Sequence, residues 1–505
     1  MKITKRWLFP ALAWILLCVA VVPALASEDP ESHFLLGERL YEQGWYEEAI
    51  ESFSKAIELD SEYTAAYVLR GIVYGNLEQH DRAILDYTTA IELNPDEAGI
   101  YHNRGWRYIN LGLYELALAD YTKAVELDPD FAEAYSERGL VYSELGQPML
   151  ALADYERAIE LVPGNPIFWI KRGMFHDSWE QYEQAVANYS EAIALAPNFV
   201  DSYHYRSIAY LYLGEFERAI ADCTKAIELE PREAIFYHNR GSIYVGLGQD
   251  EQAVPDYTKA IKLNPDDVGA YVNRGDAYVN LGKYELAVLD YTKAIELDTN
   301  NAYAFICRGS SYDELGQYER AVLDYTRVIE LHPDVVGAYL YRGVAYLRLR
   351  QYEAAVLDYT KVIELGSDNV VYAYANRSHV YILLGQYEAA IVDSTEVIEL
   401  DPHFALGYNN RGYAYMELGQ YEQALSDSMK ALELDPDHPA IYDTRGSVYA
   451  RMERYDLALV DFTKAIELDP EDAIFYVNRA DVYEAMGDTD AAAADRQKAE
   501  ELSGK

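Results

Sequence analysis

Apolar residues along most of the chain recur at the spacing of amphipathic helices, in short stretches separated by tight turns. In residues 268 to 301, an apolar side runs from near Ala270 to Asn280, Leu281 and Gly282 interrupt it, and a second stretch follows from Tyr284 to Leu297. Apolar positions spaced three and four residues apart mark one face of a helix. The pattern therefore predicts two helices joined by a turn.

This helix pair returns with a fixed period. An Arg-Gly pair stands at Arg104-Gly105, Arg138-Gly139, Arg172-Gly173, Arg240-Gly241, Arg274-Gly275, Arg308-Gly309 and Arg342-Gly343, and every spacing is 34 residues or twice 34. A period of this size indicates a solenoid of stacked units. With the Gly at repeat position 8, fourteen repeats run from residue 30 to 505 after a short lead-in at 27–29. The tenth repeat carries one extra residue at Val370, and the last stops one short.

The residues inside one period match a known repeat. The third repeat shows Tyr101, Gly105, Tyr108, Gly112, Tyr114, Ala117, Tyr121, Ala124, Leu127 and Pro129. This run resembles the tetratricopeptide repeat, and the resemblance covers all fourteen repeats. It implies an all-α fold, a right-handed α-solenoid superhelix of tandem helix-turn-helix repeats. It also implies a protein-interaction scaffold that is not an enzyme and needs no cofactor.

The first 26 residues have the layout of a secretory signal peptide. Lys2, Lys5 and Arg6 precede 20 uncharged residues, Trp7 to Ala26, which end in Ala24-Leu25-Ala26. A positive start, an apolar run and an A-x-A site predict export and cleavage after Ala26. The alternative is an uncleaved anchor helix, because this stretch is long enough to span a bilayer. Either way we expect the rest of the chain to be periplasmic or extracellular, since the positive flank stays inside.

The charge balance limits the possible partners. The chain has 42 Lys and Arg against 85 Asp and Glu, a net charge of −43, and loss of the signal peptide would make it 39 − 85 = −46. Such a chain does not bind nucleic acid by neutralising phosphates, and it is repelled by anionic membranes. We expect a neutral to basic protein or peptide as partner. Cys223 and Cys307 lie three repeats apart, so we expect both to be buried free thiols.

Tyrosine is abundant because the repeat uses it for packing. Repeat positions 4, 11, 17 and 24 hold 40 of the 48 Tyr. In tetratricopeptide repeats these are the positions at which helices pack on each other. The sequence therefore predicts that most of the aromatic side chains belong to the core and do not form a platform for stacking sugars or bases.

Arginine at repeat position 7 has a partner sixteen residues later. Arg occupies this position in repeats 2 to 14, and Asp stands at position 23 of the same repeats except at Asn188; repeat 1 has Leu36 and Ser52 and lacks both. Their joint absence indicates that they pair. We predict structural ion pairs, such as Arg274 with Asp290, that join the first helix of a repeat to the second.

Helical phase assigns a second side of each first helix to ligand binding. Repeat positions 2, 5, 6, 9, 12 and 13 cluster opposite the packed positions 4, 8 and 11, and in tetratricopeptide arrays this side lines the concave groove. Seven of the eight remaining tyrosines fall there, with further apolar residues beside them. The groove candidates are Tyr41, Tyr205, Tyr212, Tyr303, Tyr341, Tyr372 and Tyr413, together with Trp106, Ile170 and Met174.

Asparagine recurs in the same groove. Position 6 is Asn in six repeats, at Asn103, Asn239, Asn273, Asn376, Asn410 and Asn478. This row is similar to the asparagine ladder of the tetratricopeptide domain of O-linked N-acetylglucosamine transferase, which holds the backbone of an extended peptide. An amide offers both a donor and an acceptor to a peptide group. The alternative is that water satisfies these amides and that they only keep the groove wet.

Other ligands fit the groove less well. Binding of an acidic tail by a carboxylate clamp is disfavoured, because Lys171, Arg348 and Arg451 stand among many acids. His102, His204 and His238 share one repeat position, but one ligand per repeat is too widely spaced for a single metal ion. No D-x-D-x-D-G calcium loop occurs. We predict a scaffold in the cell envelope that binds an extended peptide or partner protein along the groove, with a glycan-binding solenoid as the alternative.

The joint between repeats 10 and 11 is irregular. Leu365-Gly366-Ser367-Asp368 replaces the usual proline turn and precedes the inserted Val370. We therefore predict a hinge at residues 366–371.

Overall fold

The structure is a computed structural model that describes residues 29–366 and 369–503. The predicted signal peptide, residues 1–26, lies outside the described residues. The described ranges contain helices and no strands, and the helices form fourteen hairpins, which confirms the predicted all-α fold. Contacts divide the chain into two compact bodies, Met1–Ile243 and Tyr244–Lys505.

Each repeat consists of a first helix of 13 or 14 residues and a second helix of 14 or 15. In the N-terminal body the helices are α1 Pro30–Glu42, α2 Tyr46–Leu59, α3 Thr64–Asn76, α4 His80–Leu93, α5 Ala98–Asn110, α6 Tyr114–Leu127, α7 Ala132–Glu144, α8 Pro148–Leu161, α9 Pro166–Ser178, α10 Tyr182–Leu195, α11 Val200–Tyr212 and α12 Phe216–Leu229. Helix α13, Ala234–Gly246, contains the boundary. The C-terminal body continues with α14 Asp250–Leu263, α15 Val268–Asn280, α16 Tyr284–Leu297, α17 Ala302–Glu314, α18 Tyr318–Leu331, α19 Val336–Arg348, α20 Tyr352–Leu365, α21 Val370–Leu383, α22 Tyr387–Leu400, α23 Ala405–Glu417, α24 Tyr421–Leu434, α25 Pro439–Arg451, α26 Tyr455–Leu468, α27 Ala473–Met486 and α28 Thr489–Ser503.

A glycine at position 8 lets the two helices of a repeat approach closely. A Cβ added to Gly275 would lie 2.7 Å from the ring of Tyr291, which is fully buried at position 24. Where position 8 is not glycine, position 24 is not tyrosine: the pairs are Ser207 with Cys223, Ser378 with Ser394 and Ala480 with Arg496. Ser378 and Ser394 share a buried hydrogen bond of 2.7 Å. The two positions therefore fill one space, and a larger residue at one requires a different residue at the other.

The predicted Arg–Asp pairs are confirmed and are bidentate. Arg274 donates from Nε and Nη2 to the two carboxylate oxygens of Asp290 at 2.7 and 2.6 Å. Ten further repeats show the same arrangement, with pairs at Arg70–Asp86, Arg104–Asp120, Arg138–Asp154, Arg206–Asp222, Arg308–Asp324, Arg342–Asp358, Arg377–Asp393, Arg411–Asp427, Arg445–Asp461 and Arg479–Asp495. The hydrogen bonds to Asp290 keep the pKa of Arg274 above its ordinary value.

The same arginine also reaches the preceding repeat, which the sequence analysis did not predict. Nη1 of Arg274 donates to the hydroxyl of Thr258 at 2.9 Å, and that hydroxyl donates to the carbonyl of Val254 in its own helix. Most repeats share this hydroxyl at position 25, for example Thr88 for Arg104 and Thr326 for Arg342. Each such arginine therefore joins three helices.

The tyrosines at positions 4 and 11 flank this arginine. The guanidinium carbon of Arg274 lies 5.9 Å from the ring centres of both Tyr271 and Tyr278, and these rings stay partly exposed. Aromatic faces attract cations. The prediction that tyrosine packs in the core is confirmed most fully at position 24, where all eight tyrosines are buried. Tyrosines at position 4, such as Tyr101 and Tyr339, also belong to core clusters while they flank the cation.

Repeat 5 shows how the charge can be rearranged. Arg172 donates to the neutral amide of Asn188 at 2.6 Å, and Glu156 stands where the preceding repeat usually has a threonine. Burial lowers the pKa of Arg172, and the negative charge of Glu156 opposes that shift. The acid has in effect moved from the repeat's own second helix to that of the preceding repeat.

The paired arginine and aspartate should be strongly coupled. The Asp290 and Arg274 side chains are mostly buried, so Arg274→Ala leaves an uncompensated charge and should cost about 3 to 5 kcal/mol. Adding Asp290→Ala should cost little more. Chemical unfolding of both single variants and the double variant measures the coupling, and additive losses would contradict the pairing.

The hinge at 366–371 remains a prediction. Gly366 ends α20 in the left-handed conformation, with φ of +65°, whereas the turns between repeats generally contain proline. Limited proteolysis should therefore cut first between Gly366 and Val371 and release two folded fragments. Early cleavage at the other inter-repeat turns to the same extent would show that this joint is ordinary.

Candidate peptide-binding face

The first helices lie on the side where consecutive repeats approach each other. In the N-terminal body α1, α3, α5, α7 and α9 each contact the first helix of the next repeat. In the C-terminal body the same contact joins α15 to α17, α17 to α19, α21 to α23, α23 to α25 and α25 to α27. Among the described residues, no second helix packs against another second helix. We call the surface formed by repeat positions 2, 5, 6, 9, 12 and 13 of the first helices the inner face.

Three predicted tyrosines stand on consecutive repeats of the C-terminal body. Tyr303 on α17, Tyr341 on α19 and Tyr372 on α21 are 46% to 54% exposed. Each is held by a neighbour: Tyr303 donates its hydroxyl to Asp276 at 3.2 Å, Tyr341 lies 5.7 Å from the ring of Tyr325, and Tyr372 lies edge-on to Phe404 at 5.8 Å. These three tyrosines are therefore about half exposed, and each is held in place by a neighbouring side chain.

The other aromatic candidates differ in exposure. In the N-terminal body Trp106 and Tyr212 are exposed, and Tyr212 stacks on Tyr182 at 4.9 Å. Tyr205 is half-buried against Tyr189 at 5.9 Å. In the C-terminal body Tyr413 is half-buried and packs beside Met416 and Val448. Tyr41 is also half-buried, Ile170 is buried and Met174 is exposed.

Several of the asparagines already have partners in the array. Asn410 donates to the carbonyl of Ala375 at 3.3 Å, and Asn478 donates to Asp443 at 2.7 Å. Asn239 lies 3.4 Å from the imidazole of His204. In all three cases the partner belongs to the preceding repeat. Asn103, Asn273 and Asn376 are half-buried. The row therefore links first helices as well as offering amides to a ligand.

Buried tyrosine hydroxyls fix acids on the inner face. Asp276 accepts from Tyr291 at 2.6 Å in addition to Tyr303, and Asp313 accepts from Tyr325 at 2.7 Å. Burial raises the pKa of both acids. From the sequence alone these two residues are only part of the acidic surroundings of Lys171, Arg348 and Arg451. The signal for their role was an Asp at position 9 or 12 in a repeat with Tyr at position 24.

Cys223 and Cys307, the two cysteines among the described residues, are free thiols as predicted, but the prediction that both are buried is right only for Cys223. Cys223 is buried, while Cys307 is half-buried beside Tyr303 and Tyr291, and burial raises the pKa of the Cys307 thiol to about 11. Across the described residues no group of three or more His, Cys, Asp or Glu is arranged to hold a metal ion. Within the same residues, no helix has the length and apolar character needed to cross a membrane.

Asp443 should make stability depend on pH. Burial raises its pKa to about 6, although the hydrogen bond from Asn478 opposes the shift. Between pH 4 and 6 Asp443 loses its proton in the unfolded chain but keeps it in the folded chain. Protonated Asp443 therefore stabilises the folded state at low pH, and this contribution is lost as the pH rises through 6. Asp443→Asn should therefore stabilise the protein at pH 7 by about 2 kcal/mol and have little effect at pH 4.

Thermal melts at the two pH values test this. Asp437→Asn, in an exposed turn nearby, is the control and should change neither melt. An equal gain for Asp443→Asn at pH 4 and pH 7 would contradict the shifted pKa.

The comparisons with known proteins establish the family. Models described as "TPR repeat" match residues 37–78, 105–146, 241–282, 275–316, 378–419 and 446–487, and models described as "Tetratricopeptide repeat" match residues 64–97, 132–165, 167–199, 200–233, 308–370, 405–438 and 473–505. The chain belongs to the tetratricopeptide repeat family, with about fourteen repeats, as the sequence predicted. Tetratricopeptide repeats typically form protein-interaction scaffolds, and the repeats of this chain support a scaffold of that kind. No curated protein matches it.

Solved tetratricopeptide structures resemble parts or most of the chain. The C-terminal part of a TPR repeat-containing protein from Cytophaga hutchinsonii is 21% identical, with a TM-score of 0.44, and the match covers 48% of this chain and 98% of that one. YrrB, described as a TPR protein with an unusual peptide-binding site, is 24% identical with a TM-score of 0.33, covering 36% and 95%. The APC/C hetero-tetramer Cut9-Hcn1 is 16% identical with a TM-score of 0.42, covering 93% and 98%.

Proposed function

We propose that the chain is a non-catalytic scaffold that binds an extended peptide segment of a partner protein on the inner face of its C-terminal body. One observation carries this proposal: Tyr303, Tyr341 and Tyr372 stand on three consecutive repeats, half exposed and each braced by a neighbour. Packing against these neighbours does not require half of each tyrosine side chain to remain exposed. Tyrosine supplies a large contact area at low entropic cost, which suits a contact residue.

The amides beside these tyrosines support peptide recognition. Asn376 follows Tyr372 on α21, and Asn410 stands one repeat later on α23. Asn410 uses Nδ2 for the carbonyl of Ala375, which leaves its amide oxygen to accept from a peptide N–H. A chain in extended conformation presents such groups at regular intervals and matches one amide per repeat.

The charge of the inner face favours a neutral to basic segment. Asp276 and Asp313 lie on this face, and Arg348 lies on it at the C-terminal end of α19. The whole chain carries a net charge of −43. An acidic segment would meet repulsion at long range, whereas lysine or arginine would be attracted. Export to the cell envelope is part of the same proposal and rests on residues 1–26.

A phage-displayed library of 12-residue peptides, selected on residues 27–505, tests the binding mode. Tyr341→Ala should weaken a selected peptide by about 2 kcal/mol, as expected for a contact tyrosine. Asn376→Ala with Asn410→Ala should weaken it by about 1 kcal/mol for each lost hydrogen bond. Selected peptides should be poor in Asp and Glu.

Two controls locate the site. Tyr212→Ala, in the N-terminal body, should leave peptide binding unchanged, and melting temperatures should barely move for any of these variants. If Tyr341→Ala and the double asparagine variant bind normally while remaining folded, the inner face of the C-terminal body is not the peptide site. If no peptide is selected and envelope oligosaccharides bind instead, with loss in Tyr341→Ala, the tyrosines serve a glycan.

A further inference from the structure

A row of exposed aliphatic side chains lies on the opposite side of the C-terminal body from the inner face. Position 22 is Leu289 on α16, Leu323 on α18, Leu357 on α20 and Val392 on α22. These four side chains are 61% to 71% exposed. We call them, with the exposed surface of the second helices around them, the outer row.

Packing does not explain the outer row. In repeats 3 to 6 the same position holds Ala119, Ala153, Ala187 and Ala221, and each of these alanines is exposed. The fold therefore accepts a methyl group at position 22. Four large aliphatic residues on consecutive second helices expose apolar area to water that packing does not require. Exposed apolar area of this kind is typical of an interaction surface.

Unpaired acids accompany the row. One helical turn before each aliphatic residue stands an exposed glutamate, at Glu285, Glu319, Glu353 and Glu388. No ion pair involving these four occurs within the described residues. The bases on the other side are already engaged within their helices, as in Lys293 with Glu296 at 3.0 Å and Arg327 with Glu330 at 3.1 Å. The apolar row is therefore bordered by glutamates that lie in the first turn of their helices and have no basic partner among the described residues.

We propose that the outer row binds a basic amphipathic helix of a partner protein. The aliphatic side chains would contact its apolar stripe, and the four glutamates would meet lysine or arginine beside that stripe. A second copy of this chain is disfavoured, because it would bring the same excess of acids to the interface. The negative charge beside the outer row therefore favours a basic partner helix over a second copy of this acidic chain.

The spacing of the second helices fits a helical partner. They do not pack on one another, so their axes lie farther apart than the 8 to 10 Å of packed helices. Residues seven apart on a helix are about 10.5 Å apart along its axis and lie on one face. A helix with an apolar residue at every seventh position can therefore place about one such residue on each repeat, and about 22 residues would cover the four repeats.

The outer surface also contains crevices that a bound helix can contact. In repeat 13, Val460 at position 22 borders a cavity of about 540 Å³ that is also lined by Tyr442, Arg445 and Lys464. A side chain at position 22 therefore stands on the rim of the crevice beside its second helix. Apolar side chains of a bound helix could enter crevices of this kind and contact the aromatic rings at position 4.

A synthetic peptide tests the proposal without knowledge of the natural partner. The probe is a 22-residue peptide with Leu at every seventh position and Lys and Ala elsewhere, and its binding to residues 27–505 is measured by fluorescence anisotropy. Leu323→Ala with Leu357→Ala should weaken binding about tenfold or more. Glu319→Gln with Glu353→Gln should also weaken it. The same peptide with Glu in place of Lys should not bind.

Matched controls separate the outer row from other surfaces. Leu85→Ala removes an equally exposed leucine at position 22 of repeat 2, outside the row, and should leave the affinity unchanged. Tyr341→Ala, on the inner face, should also leave it unchanged, so the result does not depend on the peptide groove. Alanine at position 22 occurs naturally in five repeats, so the variants should fold.

Three results would overturn the proposal. Unchanged affinity in the Leu323→Ala, Leu357→Ala variant would place the peptide elsewhere on this acidic chain. An equal loss in Leu85→Ala would show attraction to any exposed leucine. A dimer in sedimentation velocity that dissociates when Leu323 and Leu357 are replaced would assign the outer row to a second copy.

Discussion

The structure depends on one arginine at position 7 of each repeat after the first. In the common arrangement, as at Arg274, its guanidinium uses two nitrogens for the aspartate of its own second helix and the third for the threonine hydroxyl of the preceding repeat. Tyr271 and Tyr278 cover it on both sides. A partly buried charge would be costly if any of these contacts were missing. The group therefore fixes the first helix against two second helices at once.

This arrangement leaves two surfaces free to vary. The arginine, its acid and its threonine lie between the helices, so neither the inner face nor position 22 contributes to them. Tyr341 on the inner face and Leu357 on the outer row belong to the same repeat, and each can change without altering Arg342 and Asp358. A scaffold of this kind can present different residues to different partners while the helices keep their packing.

Much of the fold could be predicted because equivalent positions can be compared across the fourteen repeats of one chain. The period gave the hairpins, and the joint absence of Arg and Asp from repeat 1 gave the ion pairs. Threonine or serine at position 25 also recurs, in eleven of the fourteen repeats. Its partner lies in the next repeat, so a comparison within one repeat could not reveal the contact. In repeat 11, Ser378 replaces the glycine of position 8 and Ser394 replaces the tyrosine of position 24. The two changes occur together because these side chains share one space.

The inner face was harder to predict, because helical phase gives the direction of a side chain but not its neighbours. It placed Tyr303 and Tyr205 on one face, yet Tyr303 is open and Tyr205 is half-buried against Tyr189. It also could not show that Asn410 and Asn478 hydrogen-bond with the preceding first helix. Such contacts depend on the spacing between repeats, and no single repeat encodes that spacing.

Repeat 13 allows the most direct test of the arginine's role between repeats. Arg445 keeps its two bonds to Asp461, but the preceding repeat has Met429 where others have a threonine, and the Arg445 side chain is more exposed than the other paired arginines. Met429→Thr should supply the missing acceptor and raise the free energy of unfolding by about 1 kcal/mol. Met429→Val has a similar shape to threonine without the hydroxyl, and it should not. If chemical unfolding gives the same stability for the threonine and valine variants, the arginine does not link neighbouring repeats through this hydroxyl.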